Sequence, residues 1–155
     1  MNDNQSRRLP EFWALQHFPR QIFGTLTSRS EISRRRDNPV KLFSWLRQVA
    51  RSCHIHFRYG LLWVARWEIG REGRGHYHVC LAGLPLELIT PQYCRSFRSL
   101  WWELGGGISK IEMYDHSRNG IGYVLKASSH ANRLEHVFPP KLSDSLVAAI
   151  RKRAI

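Results

Sequence analysis

A predicted β-hairpin in the middle of the chain constrains the fold more than any other sequence feature. Residues 57–68 are rich in aromatic and β-branched side chains, residues 75–84 form a second apolar run, and the glycine-containing segment 70–74 separates them. Two strands joined by so short a loop run antiparallel. The sequence therefore predicts a mainly antiparallel sheet.

Further strand and helix signals lie on both sides of this hairpin. The run that starts at residue 21 is rich in strand-forming side chains. Asn38-Pro39 and Thr90-Pro91 each combine an N-cap residue with a proline at the first helical position, so each predicts the start of a helix. We also predict an irregular lead-in over residues 1–20, a strand over 108–114, a helix over 119–129 and a basic C-terminal helix over about 143–153.

The order of these elements, β, α, β, β, α, β, α, is typical of an α+β domain. It resembles the split βαβ or ferredoxin-like arrangement, in which helices cover one face of a mainly antiparallel sheet. The other face would then be free to carry a functional site. A chain of 155 residues suits one compact domain, which we expect to span residues 1–155.

The charge of the chain indicates a polyanionic partner. Lys and Arg number 24 against 12 Asp and Glu, which gives a net charge of +12 and a pI near 10.5. The basic excess lies in the N- and C-terminal thirds, on either side of a charge-balanced middle. Such a distribution suits a protein that contacts a phosphate backbone around its functional site.

Cysteine usage and hydropathy restrict the remaining classes. The three cysteines, Cys53, Cys80 and Cys94, have no CxxC spacing, so reduced and mostly buried thiols are expected, not a disulfide framework. No apolar run reaches the length of a membrane span, and the polar N-terminus does not resemble a signal peptide. These features predict an intracellular, cytoplasmic protein.

Two histidines in the second hairpin strand form a candidate metal site. His76 and His78 lie two residues apart and therefore point to the same face of the sheet. A loop of three or five residues centred on Glu72 would place Glu68 directly opposite His76, whereas a four-residue loop would send this carboxylate to the other face. Taken alone, the histidine pair also fits an ordinary half-buried strand.

A second His-x-His pair, His54 and His56, provides an internal comparison. We predict a structural role for this pair because it begins a predicted strand, lacks a suitable upstream acid and is followed by Arg58.

Tyr123 and Lys126 are candidates for a nucleophile with a cation beside it. They lie three residues apart, so they share one face of the predicted helix over 119–129. A phenol with a pKa near 10 needs a neighbouring positive charge or a polarised electrophile in order to attack at neutral pH. The alternative is an ordinary pair of surface residues.

Three motifs in order carry a resemblance to a known family. Phe-Gly-Thr-Leu-Thr at 23–27 comes first, Glu68 with His-Tyr-His at 76–78 follows, and Tyr-Val-Leu-Lys at 123–126 comes last. This series resembles the HUH endonuclease superfamily, in its rolling-circle replication initiator (Rep) branch with a single catalytic tyrosine. A position of the tyrosine after the histidines fits a Rep or transposase order.

The resemblance implies a ferredoxin-like or RNA-recognition-like sheet and metal-dependent nicking and joining of single-stranded DNA at a replication origin. Mg²⁺ or Mn²⁺ would be held by His76, His78 and Glu68, and Tyr123 would form a 5′-phosphotyrosine link, initiating rolling-circle replication of a plasmid or virus. Lys126 would assist the tyrosine, and Thr25 and Thr27 would support the site. Candidate DNA contacts are Arg34, Arg35, Arg36 and Arg74.

Because the sequence has no GxxxxGK[ST] motif, helicase and polymerase activities are expected from separate or host proteins. Three other functions remain open at this point: a single-tyrosine HUH transposase, a non-catalytic nucleic-acid-binding domain, and an iron oxygenase with two histidines and one carboxylate. Zinc bound with Cys80 as an added ligand is a further possibility.

Overall fold

The computed structural model describes residues 20–29 and 39–125. The predicted lead-in over 1–19 and the predicted C-terminal helix over 143–153 lie outside these residues, so the extent of the domain stays a prediction. The described elements are β1 (Ile22–Ser28), α1 (Pro39–Ser52), β2 (Leu62–Ile69), β3 (Gly75–Ala82), α2 (Pro91–Glu103), β4 (Gly106–Met113) and α3 (Gly120–Leu125).

The four strands form one sheet in the order β2-β3-β1-β4, and every neighbouring pair is antiparallel. This order is that of the split βαβ arrangement, because the first and third strands lie side by side in the centre. The predicted α+β class with a mainly antiparallel sheet is therefore confirmed.

The two long helices cover one face of the sheet and build the main core. Helix α1 buries one stripe of apolar side chains, and α2 begins at the predicted Thr90 cap, whose hydroxyl accepts from the backbone N–H of Tyr93 at 3.3 Å. Trp45 and Trp101 meet edge to face between the two helices, with ring centroids 6.4 Å apart. The strands contribute their inward-facing residues, among them Leu26 and Val79, to the same cluster.

The third helix differs from this arrangement because it lies on the opposite face. Ile121 and Val124 of α3 are fully buried against residues such as Val64 and Cys80 on the outer face of β2 and β3. That face carries its own apolar row close to the start of β2, and burying this row gives α3 a place to dock. The hydroxyl of Tyr114 accepts from the backbone N–H of Ile121 at 3.0 Å and fixes where α3 begins.

The β2–β3 loop has the odd length on which the predicted metal site depends. Ile69 pairs with Gly75, which leaves five residues between them. Within this loop, the backbone N–H of Gly70 donates to the carbonyl of Arg74 at 2.8 Å, and Gly73 has a φ of +71°. A glycine in this left-handed conformation is the usual closing residue of a short hairpin turn with a bulge. The resulting register pairs Glu68 with His76.

Two strand starts and one helix differ from the sequence prediction. Strand β2 begins at Leu62, not at residue 57, because residues 57–60 form a turn. Strand β4 begins at Gly106, within the glycines expected to end the preceding helix. Only 120–125 of the helix predicted over 119–129 is described as helical. Within the described ranges, no helix combines the length and apolar character needed to cross a membrane.

Candidate active site

Strands β2 and β3 bring Glu68, His76 and His78 together on the outer face of the sheet. Glu68 lies directly opposite His76 in the strand pairing, and His78 follows on the same face of β3. One potential ligand atom from each of the three residues lies within 4.8 Å of the others. The alternation and register predicted from the sequence therefore produce one cluster with two imidazoles and a carboxylate.

His78 has the properties expected of a metal ligand. Its side chain is buried, and its Nε2 lies 3.3 Å from Glu68 Oε2 without forming a hydrogen bond. Burial lowers the pKa of His78 to about 4, with a further contribution from nearby His76, while Glu68 acts in the opposite direction. The imidazole is therefore neutral near pH 7, the form that binds a metal. A buried nitrogen without a hydrogen-bond partner, beside a carboxylate, fits a bound cation.

The second nitrogen of each histidine has a hydrogen-bond partner that orients the ring. His78 Nδ1 lies 3.2 Å from Thr25 Oγ1, and His76 Nδ1 lies 3.3 Å from the carbonyl oxygen of Arg74. Because a carbonyl only accepts, the proton of His76 is on Nδ1, which leaves Nε2 for a metal. Such outer partners fix the tautomer and orientation of metal-binding histidines.

The two predicted supporting threonines lie in different environments. Both are on the site-facing side of β1, with Thr25 opposite His78 and Thr27 opposite His76. Thr25 contacts the His78 ring, as described above, whereas the Thr27 hydroxyl donates to the carbonyl of Ile108 in β4. The structure therefore gives the hydroxyl of Thr25 a contact in the histidine cluster, and that of Thr27 a contact with the neighbouring strand.

Helix α3 places Tyr123 beside this cluster. The Tyr123 hydroxyl donates to Glu68 Oε2 at 3.5 Å, and its ring meets the ring of His78 edge to face at a centroid distance of 4.7 Å. Tyr123 is 45% exposed, so a substrate has access to the phenol. A nucleophile candidate and the metal-ligand candidates therefore share one partially open site.

The predicted cations are only partly described. Arg74 is exposed in the β2–β3 loop, where its backbone carbonyl contacts His76. Lys126 lies outside the described residues, as do Arg34, Arg35 and Arg36.

Arg66 is a site residue that the sequence analysis did not select. It is buried opposite His78, and its guanidinium donates to Glu68 Oε2 at 3.3 Å and to the backbone carbonyl of Tyr123 at 3.1 Å. It also lies 5.9 Å from the centre of the Tyr123 ring. The available signal was its position two residues before Glu68, because a buried guanidinium on the same face requires an acid. Arg66 ties the carboxylate to the tyrosine helix.

Cys80 follows His78 on the same face but is not part of the cluster. The three-residue group found among the described residues does not include it, and burial raises the pKa of its thiol to about 12. Zinc binding requires the thiolate, so the two histidines and Glu68 are the better-supported ligand set.

Comparison with protein families decides the assignment. A family model for replication-associated proteins of the ORF2 type matches residues 21–132, which is most of the chain. The chain belongs to this family. Membership supports a role in the initiation of replication and binding to DNA at an origin. Comparisons with curated proteins and with solved structures gave no match.

Proposed function

We propose that this replication-associated protein is a single-tyrosine HUH-type endonuclease that nicks and rejoins single-stranded DNA at a replication origin. The observation that carries the proposal is the contact between the Tyr123 hydroxyl and Glu68 Oε2, at 3.5 Å, inside the cluster with His76 and His78. A half-exposed phenol fixed at a two-histidine, one-carboxylate group combines a nucleophile with a site for a cation.

The proposed reaction is a transesterification. The Tyr123 oxygen attacks the scissile phosphorus, the bond from phosphorus to the 3′ oxygen breaks, and the phenol loses its proton while the leaving 3′ oxygen gains one. The products are a 5′-phosphotyrosine link and a free 3′-OH, which a polymerase extends. One phosphodiester replaces another, so the step needs no external energy source and its reversal joins strands.

The residues of this chain have separate roles in the proposal. Glu68, His76 and His78 would hold Mg²⁺ or Mn²⁺, which when bound supplies Lewis-acid polarisation of a phosphoryl oxygen. Arg66 holds the Glu68 carboxylate and the backbone of Tyr123 in their relative positions. Lys126 would stabilise the phenolate.

The DNA strand would be held by cations around the cluster. Arg74 lies in the loop next to His76, and Arg34, Arg35 and Arg36 are proposed to contact the backbone elsewhere. Separate proteins of the host or replicon would supply helicase and polymerase activity, since this sequence has no GxxxxGK[ST] motif. The family match favours replication initiation over transposition by the same chemistry.

A covalent-adduct assay tests the proposal. The protein is incubated with a pool of single-stranded oligonucleotides labelled at the 3′ end, because the fragment attached through its 5′ phosphate then keeps the label. We expect a labelled protein band on a denaturing gel in the presence of Mn²⁺ and none in EDTA.

Two variants assign the band. Tyr123→Phe removes the nucleophilic oxygen and is expected to abolish the band, whereas Tyr93→Phe, on helix α2, keeps it. A band that persists in Tyr123→Phe contradicts the nucleophile assignment. Tight DNA binding by the unmodified protein without an adduct on any member of the pool, in Mn²⁺ or Mg²⁺, would instead support a non-catalytic nucleic-acid-binding domain.

A further inference from the structure

An exposed basic and aromatic surface lies at the C-terminal end of helix α1, which we call the cap surface. Its exposed residues are Arg47, Arg51, His54, His56, Arg58 and Tyr59. It contains the second His-x-His pair, for which the active site has no use. The sequence has no Asp or Glu from residue 38 to residue 67, so no acid of this segment offsets these cations.

The backbone of the cap surface holds a histidine where the fold alone would favour glycine. Helix α1 ends with hydrogen bonds from the N–H of Ile55 to the carbonyl of Ala50, at 3.0 Å, and from the N–H of His54 to the carbonyl of Arg51, at 3.1 Å. This is the Schellman pattern, in which the residue at the His54 position takes a left-handed conformation and is usually glycine. His54 has a φ of +54°. The chain therefore accepts a conformational cost and exposes an imidazole at this point.

The aromatic part of the cap surface is fixed by local contacts. Tyr59 is 69% exposed, yet its ring lies 4.7 Å from the ring of His56. The N–H of Gly60 donates to the carbonyl of His56 at 2.7 Å, and the N–H of Arg58 donates to His56 Nδ1 at 3.3 Å. A large, solvent-exposed ring is thus held in place between cations, which lowers the entropy that a ligand would have to remove.

We propose that the cap surface binds single-stranded DNA outside the nicking site, with Arg51 and Arg58 on phosphates and Tyr59 stacked on a base. Cations interleaved with an exposed aromatic ring are the features that single-stranded nucleic acid requires. The proposal rests on the proposed function for the identity of the polyanion, because an origin-binding protein meets DNA. It does not depend on the chemistry at Tyr123.

The position of the cap surface separates it from the active site. The turn over 57–60 leads into β2 at Leu62, and Glu68 lies six residues further along that strand, a rise of about 20 Å. The cap surface therefore contacts nucleotides away from the scissile phosphate. It should add affinity without taking part in the reaction.

Paired neutralising variants test this surface. Arg51→Gln combined with Arg58→Gln should weaken the binding of a fluorescent single-stranded oligonucleotide by at least about 10-fold at low salt, and should reduce the slope of log affinity against log salt by about 1.4. The matched control, Arg95→Gln combined with Arg98→Gln, removes two exposed cations of α2 and should change affinity much less. Equal losses in the two variants would show a general charge effect and overturn the proposal.

A third variant tests the stacking. Tyr59→Ala should weaken single-stranded DNA binding by about fivefold or more, and should leave the salt slope unchanged. Retention of wild-type affinity by both Tyr59→Ala and the Arg51 and Arg58 variant would overturn the proposal and leave the surface for an acidic protein partner. Circular dichroism of each variant confirms that the fold is retained.

The adduct assay separates this proposal from the proposed function. At saturating DNA, the Arg51 and Arg58 variant should reach the wild-type yield of adduct, whereas Tyr123→Phe should bind DNA normally and give none. If no protein forms an adduct but the Arg51 and Arg58 variant still binds DNA selectively less well than its control, the nicking proposal fails and the cap surface stands. Loss of adduct at saturation with unchanged affinity would place the cap surface in the chemistry and contradict its proposed role.

Discussion

The chain contains the His-x-His pattern twice, and its two copies have different structures. His76 and His78 lie in β3, where strand pairing places Glu68 opposite His76. His54 and His56 lie in the capping turn of α1, where one takes a left-handed conformation and the other packs on a neighbouring ring. Among the described residues, the only three-residue metal-ligand group includes the first pair.

The difference shows that the neighbouring strand, more than the histidine spacing, creates the candidate metal site. In β3 the two-residue repeat points both rings to one face, and the odd loop length brings in an acid. At the helix cap the backbone does not keep this repeat, and the nearest charged neighbour in sequence is Arg58. The prediction of a structural role for His54 and His56 rested on a strand that the structure replaces with a turn.

Removing one histidine from each pair should break the comparison most strongly. His76→Ala removes a proposed ligand from a half-exposed position, and we expect at least about a 1000-fold loss of adduct-forming rate. His56→Ala should retain the wild-type rate at saturating DNA. Calorimetric titration with Mn²⁺ provides a reading independent of activity, and equal Mn²⁺ affinities in the two variants would contradict the assigned site.

Acid should destabilise the metal-free protein through His78. Its pKa is about 4 in the folded protein against an ordinary 6.5, so between these values the unfolded chain binds the additional proton. Stability therefore falls as the pH is lowered from 6.5 towards 4, by up to roughly 3 kcal/mol. Urea unfolding of His78→Gln should lack this part of the pH dependence, whereas His56→Gln should keep it. Identical profiles for wild type and His78→Gln would refute the assignment.

The threonine contacts sharpen the comparison within the site. Thr25→Val removes the hydroxyl next to His78 Nδ1 at nearly constant volume, and we expect Mn²⁺ affinity to fall by about 10-fold. Thr27→Val removes a hydroxyl that bonds to Ile108, so it should affect stability but not Mn²⁺ affinity. An equal loss of affinity in both variants would argue against a specific role for Thr25.

The smallest expected effect concerns the helix cap. His54→Gly should raise the free energy of unfolding by about 1 kcal/mol, because glycine adopts a positive φ without the steric cost of a β-carbon. His56, which does not have a positive φ, should give no such gain when changed to glycine. Chemical denaturation measures both variants, and destabilisation by His54→Gly would show that its imidazole has a structural role beyond the cap.

Much of the fold was predictable because its signals are local. The Pro39 and Thr90-Pro91 signals mark helix starts, and the strand alternation assigned the site face of β1, β2 and β3 correctly. The parity of the β2–β3 loop could be stated only as a condition. Gly73 closes the turn, but a glycine in sequence does not by itself show its φ.

The remaining differences have physical causes that a sequence pattern does not carry. The end of α1 was hidden because histidine, not glycine, holds its left-handed cap, so residues 57–60 were interpreted as strand. Arg66 and the docking of α3 depend on contacts between distant segments. The guanidinium reaches Tyr123, 57 residues further along the chain.

The most direct test of the central claim is to locate the covalent link by mass spectrometry. Trypsin cleavage after Arg118 and Lys126 releases peptide 119–126, in which Tyr123 is the only residue with a hydroxyl group. After adduct formation in Mn²⁺ and nuclease trimming of the DNA, we expect this peptide to carry a 5′-linked nucleotide on Tyr123. A nucleotide linked to any other residue, or cleavage of DNA with no linked peptide, would contradict the account.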